Sequence, residues 1–137
     1  MSFMTRTQQR EHIFKLLFQI DFISKKEIDE HLQVFLDNLD GVSKDDKEAI
    51  KDRFLKALSY VSEIDDLLNS KVTGWKTKRM NKVDLSVLRL AIYEMKYDDE
   101  VPVGVAIDEA VELAKKFSSK NGPSFVNGVL AKIVKEE

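Results

Sequence analysis

The sequence predicts an all-α fold on three observations. Apolar residues recur at the spacing of one helix face along almost the whole chain. The breaks between those runs, Asp40-Gly41, Asp98 to Pro102 and Asn121-Gly122-Pro123, are helix-ending combinations. A single stretch, VPVGV at 101–105, could pass for a strand, and it is short and broken by proline.

The elements follow in order. Ile13, Leu16, Leu17 and Ile20 fall on one face of a first helix, with Phe14 and Phe18 widening the stripe and Thr5 as its N-cap. Ser24 precedes Glu27 at capping-box spacing and opens a second helix through Ile28, Leu32, Phe35, Leu36 and Leu39. Gly41 closes it by supplying the left-handed conformation that helix ends favour. Ser43 with Asp46 opens a third, longer helix whose stripe runs Ile50, Phe54, Ala57, Leu58, Val61, Ile64 and Leu68. The period fails over 69–82, which holds Gly74 and the sole tryptophan, Trp75. That stretch reads as a connector with one helical turn and as the subdomain boundary, near residue 70. Asp84 is the expected cap of a helix carrying Leu85, Leu88, Ala91, Ile92 and Met95. After the Asp98–Pro102 turn comes a helix with Ile107, Ala110, Val111, Ala114 and Phe117 on one face and Asp108, Glu109 and Glu112 on the other. A last helix carries Phe125, Val126, Val129, Leu130 and Ile133.

A length of 137 residues suits one domain, or two small subdomains sharing a core. Hydrophobic residues at 43% and charged residues at 34% argue against a largely disordered chain. No apolar run approaches the roughly 18 residues that a membrane span needs. The opening MSFMTRTQQRE lacks the apolar segment of a signal peptide, and zero cysteines exclude disulfides, thiolate zinc sites and a cysteine nucleophile. The expected compartment is the cytoplasm.

A net charge of -2 hides an uneven distribution. Residues 21–50 hold nine acidic residues against four lysines, whereas 71–82 holds Lys71, Lys76, Lys78, Arg79 and Lys82 with no acid. Local basic patches on a mildly acidic body suit an anionic ligand met at one place; a solvated charged face is the alternative. Catalysis is not expected. His12 and His31 lie on different helices without metal spacing, and the chain has neither a glycine-rich phosphate loop nor a nucleophile elbow. The acids at 98–100 and 108–112 read as evenly hydrated, not as the contrasting pair that acid–base chemistry needs. Binding is better signalled. Arg6 and Arg10 sit four apart at a helix start, where free N–H groups and guanidinium forks both suit phosphate oxygens. Thr7, Gln8 and Gln9 add neutral hydrogen-bonding groups.

The strings VLRLAIYEM (87–95), VPVGVAIDEAVELAKKF (101–117) and FVNGVL (125–130), with an opening R-x-x-x-R-E and LLFQ at 16–19, resemble the NusB family of transcription antitermination factors. Residues 20–75 match only in helical pattern. The resemblance implies one domain of about seven helices, three in an N-terminal subdomain (about 1–70) and about four in a C-terminal one (about 71–137). It also implies binding of boxA-type single-stranded RNA with the ribosomal protein NusE, inside an RNA polymerase antitermination complex, with no catalysis, metal or cofactor. Arg6 and Arg10 match the family's N-terminal arginine cluster, but Thr7 and Gln8 stand where arginine is common. Fewer charges weaken the phosphate term, and Lys78 and Arg79 are the candidates to compensate. Phe125 aligns with an aromatic near the RNA and partner surfaces, a core position being the alternative. Asn121 sits at a position where relatives carry an acid. Asp84 aligns with an acid implicated in the NusE contact, although capping alone explains it. Asn127 and Gly128 read as structural, the glycine for close helix approach. The resemblance leaves open a monomer or a homodimer. It leaves open, too, a helical protein–protein adaptor with weak or no RNA binding of its own. A methyltransferase of the kind to which such domains are fused has no room in 137 residues.

Overall fold

A computed structural model of the chain describes residues 3–71 and 76–135, which leaves Gly74 and Trp75 outside the described residues. Among the described residues it has seven α-helices and no strand: α1 (Arg6–Gln19), α2 (Ile28–Asp37), α3 (Lys44–Ser59), α4 (Val61–Lys71), α5 (Lys82–Tyr97), α6 (Val103–Phe117) and α7 (Gly122–Lys135). Short 3-10 turns occupy Ile20–Phe22, Lys25–Glu27 and Thr77–Arg79. The residues 101–105 that could have formed a strand end a turn and open α6, with Pro102 at its N-cap. The chain divides into two compact units, Met1–Leu58 and Ser59–Glu137. The division lies about one helix before the boundary expected near residue 70.

In the first unit the expected stripes are buried: Ile13, Phe14, Leu16 and Leu17 of α1, Leu32 and Leu36 of α2, and Ile50, Phe54 and Ala57 of α3. Thr5 caps α1 as expected and completes a capping box, its hydroxyl accepting from the Gln8 N–H at 3.1 Å while Gln8 Oε1 accepts from the Thr5 N–H at 2.9 Å. The box expected at Ser24 does not form. A 3-10 turn follows Ser24, so its hydroxyl meets no helical N3 position, and α2 begins at Ile28. Gly41 does take the left-handed conformation, φ 70°, in the turn beyond α2. Ser43 Oγ accepts from the Asp46 N–H at 3.1 Å.

The second unit is built around α5, in which every residue from Asp84 to Glu94 is buried. Helices α4 and α6 pack on α5, and α7 packs on both α5 and α6. Arg89 grips Asp65 of α4 with a two-pronged fork, Nε to Oδ1 at 2.9 Å and Nη2 to Oδ2 at 2.7 Å, which pairs a buried guanidinium. The single long third helix that the sequence suggested is two helices, interrupted at Tyr60. The Tyr60 ring stacks on Tyr97 at 3.8 Å, and Tyr97 Oη donates to Glu63 of α4 at 3.1 Å. A new helix starts at once beyond the break, Ile64 N–H bonding the Tyr60 carbonyl at 2.9 Å.

Three further expectations are corrected here. Asp84 does not cap α5: Asn81 does, its Oδ1 accepting from Val83 N–H at 2.7 Å, and Asp84 lies within the first turn. The buried face of α6 is Ala106, Ala110, Leu113 and Ala114, rotated from the expected one so that Ile107, Val111 and Phe117 lie at its margin. Gly128 makes no close helix approach, since a Cβ there would meet nothing within 4 Å. The close approach is at Gly122, where a Cβ would fall 2.1 Å from Ser118 Oγ.

Candidate nucleic-acid interface

In the first unit, the start of α1 carries Arg6, Thr7 and Arg10. Arg6 and Thr7 are exposed in the first turn, where the capping box holds the helix end in place. Arg10 is not on the surface. It keeps 4% of its exposure, because burial along α1 begins at Gln9 and the face shared with Arg6 turns inward within one turn. The expected pair of surface guanidinium groups is therefore one, Arg6. Of the neutral neighbours, Gln8 is spent on the cap and Gln9 donates through Nε2 to Asp46 Oδ1 at 3.0 Å. Asp46 also accepts from the Met4 N–H at 3.0 Å and from Ser43 Oγ at 3.0 Å. These donors, the Met4 N–H foremost, hold its carboxyl below the usual range despite the opposing effect of burial. This buried acid pins the residues before α1 to the start of α3. The sequence revealed only its link to Ser43.

The second unit brings Asp84, Asn121 and Phe125 together around a recess of about 300 Å³, whose wall is completed by Met80, Asn81 and Gly122. Each side chain is placed by a local cause. Asn81 is fixed by capping α5. Asp84, 7% exposed, accepts from Ser118 Oγ at 2.5 Å, which ties the end of α6 to the start of α5. That bond draws the 118–122 turn close enough that only glycine fits at 122. Pro123 follows in the first turn of α7, a place where proline's missing N–H costs nothing. The turn leaves Asn121 exposed and Phe125 half-buried, so Phe125 is neither a core ring nor a free one. Lys78 and Arg79 are both exposed on the 3-10 turn that runs directly into Met80 of the recess wall.

The outcome is an aromatic ring and a side-chain amide at the rim of a recess, beside two cations on a short, well-formed turn. Asp84 lies inside and is engaged with Ser118, so it positions the turn instead of offering a free carboxylate. Met80, Asn81, Ser118 and Gly122 were missed in the sequence. Asn81 was findable, because an asparagine three residues before an acid at a helix start is itself a capping signal. Among the described residues no group of histidine, aspartate and glutamate could hold a metal ion, and no helix is long and apolar enough to cross a membrane.

Comparison with known proteins gives a consistent picture. The NusB family model matches residues 7–135. The chain is 44% identical over 129 residues to the transcription antitermination protein NusB of Agathobacter rectalis, covering 94% of this chain and 98% of that one. The fold is similar to a solved structure of T. maritima NusB, with a TM-score of 0.86 and 35% identity over 99% of this chain and 94% of that one. It is similar also to a solved structure of the antitermination factors NusB and NusE in complex with dsRNA, with a TM-score of 0.79 and 25% identity over 98% of this chain and 100% of that one.

Proposed function

Because the chain belongs to the NusB family, we propose that it is a transcription antitermination factor that binds boxA-type RNA together with NusE and helps RNA polymerase resist termination on ribosomal RNA operons. It acts as an adaptor, without catalysis or cofactor, in the cytoplasm, as a monomer or a homodimer.

The observation that carries this reading to particular residues is the recess of the second unit. Lys78 and Arg79 supply cations for phosphate oxygens, Phe125 a face on which an unpaired base stacks, and Asn121 an amide able to donate and accept at a base edge. Stacking of one base on an aromatic ring is worth about 1–3 kcal/mol, so Phe125 alone would shift affinity more than tenfold at the upper end. Arg6 and Thr7 add a phosphate-directed group at the α1 end, where the N-terminal helix charge is also favourable. Asp84 holds the turn on which both the RNA and the protein partner depend.

A second reading, a protein–protein adaptor with little RNA affinity of its own, is favoured by one observation: Arg10 is buried, so the N-terminal phosphate site has lost half its expected charge. A gel-shift titration separates the two. The chain alone should retard boxA-type RNA in preference to a scrambled RNA, and more strongly with NusE present. Retardation of neither RNA by the chain alone, with a shift appearing only with NusE, would favour the second reading.

A further inference from the structure

The first turn of α1 is exposed from Thr5 to Gln8, and helix ends of this kind fray. This one is clamped from another helix. Asp46 lies in the first turn of α3 at 5% exposure. Its Oδ2 accepts the Met4 N–H at 3.0 Å, and its Oδ1 accepts from Gln9 Nε2 at 3.0 Å. The two anchored residues stand just outside the capping box on either side, Met4 before Thr5 and Gln9 after Gln8. The only residues enclosed by the box are Arg6 and Thr7, and both are exposed.

Taking a carboxylate out of water is expensive even when it is hydrogen-bonded, so it joins α1 to α3 poorly by strength alone. It is better suited to fixing direction, since charge-assisted bonds are short and geometrically exacting. What these two bonds fix is the stretch from which Arg6 and Thr7 project. A side chain carried on a frayed turn must be ordered as it binds, and that ordering is subtracted from the affinity. We propose that Asp46 is a positioning residue for RNA: it holds the first turn of α1 in place so that Arg6 and Thr7 meet phosphate already ordered. The proposal rests on the reading above that sets Arg6 and Thr7 against RNA.

The proposal predicts an effect opposite in sign to that of charge alone. Asp46 is an anion close to a phosphate-directed helix end, so Coulomb's law by itself makes its removal strengthen RNA binding. A clamp makes its removal weaken RNA binding. A purely structural acid would change the melting temperature and leave the affinity of the folded chain as it was.

The test titrates boxA-type RNA against the full chain over a salt series, at a temperature where circular dichroism shows each variant folded. Asp46→Asn should weaken binding several-fold and lower the salt slope by roughly 0.7, as Arg6→Ala does. The double variant should bind no more weakly than Arg6→Ala, because both changes remove one contact. Gln9→Ala cuts one of the two crossing bonds and should weaken binding by an intermediate factor; it carries the test if Asp46→Asn does not fold. Where Arg6→Ala weakens binding, unchanged or tighter binding in Asp46→Asn or Gln9→Ala would overturn the clamp and leave Arg6 in the RNA site. Losses that simply add in the double variant would overturn it too. An Arg6→Ala variant that binds RNA with wild-type affinity and slope would remove Arg6 from the site, and this inference with it.

Discussion

Phe125 is held half-buried by its place in the first turn of α7, with its ring at the rim of the recess. A ring fully buried in a core loses about 3–5 kcal/mol of stability on truncation to alanine, and this one should lose clearly less. Phe125→Ala is therefore expected to shift the melting temperature by only a few degrees while reducing RNA or NusE binding at least several-fold; a variant that unfolds, or one that binds normally, would contradict its position. The two arginines of α1 divide in the same way. Arg6→Ala should leave folding intact and lower the salt slope of RNA binding by roughly 0.7, the value for one phosphate contact to a single strand. Arg10→Ala should act on stability, because its side chain is buried. A salt slope unchanged in Arg6→Ala and lowered in Arg10→Ala would reverse that assignment. The sequence singled out Arg6 and Arg10 by spacing, and Asn121 and Phe125 by the resemblance, as candidates, but it did not show the depth of Arg10, which depends on what covers α1. Gly128 is not the packing position that close helix approach required, and the sequence carried the signal: the stripe Val126, Val129, Leu130 and Ile133 already turns positions 127 and 128 outward. Gly128 costs α7 about 1 kcal/mol relative to alanine, an amount that internal packing does not return.

Helices were legible wherever a periodic stripe met one strong punctuation signal, and less so where two signals competed. Thr5 stands alone before α1 and caps it. At the start of α5, Asn81 and Asp84 are both eligible, and the earlier one takes the cap, freeing the Asp84 carboxylate to reach Ser118. The break at Tyr60 had no signal at all, since neither glycine nor proline marks it and the apolar spacing runs on through it. The elements also differ in how they respond to pH. Burial, and then the nearby Lys15, hold His12 below its ordinary value of 6.5, so the folded first unit prefers the neutral ring. Its contribution is complete above about pH 6.5 and declines as pH falls below that. Asp46, held below its ordinary value of 3.8 chiefly by the Met4 N–H, stabilises the fold above that value and stops doing so as pH falls through its lower folded value. In the second unit, burial foremost pushes Tyr93 up to about 12, and burial with the Glu63 bond raises Tyr97. Those neutral phenols favour folding until pH rises above 10. Residue-resolved amide exchange across a pH series should show the first unit loosening in acid, in two stages, and the second loosening in alkali. Asp46→Asn should blunt the lower acid stage. Protection that is independent of pH in both units would contradict this assignment.

At the scale of the whole molecule, the chain is two compact units whose net charges are alike, and the charge is uneven within each of them. The resemblance carried in residues 87–130 made the family legible, because those strings encode the α5–α7 assembly that shapes the recess. The position of the division between units was not legible, since it falls between Leu58 and Ser59, inside an unbroken stripe, instead of at the conspicuous basic stretch 71–82. The acidic surplus of residues 83–137 suits a basic protein partner, while Lys78, Arg79 and Arg6 suit phosphate. An adaptor of this kind holds two ligands that should reinforce one another on a shared surface. The most direct test is a calorimetric binding cycle, in which boxA-type RNA is titrated with and without NusE, and NusE with and without RNA. NusE should tighten RNA binding, and RNA should tighten NusE binding by the same factor, as linkage requires. Equal NusE affinity in the presence and absence of RNA would contradict the adaptor account.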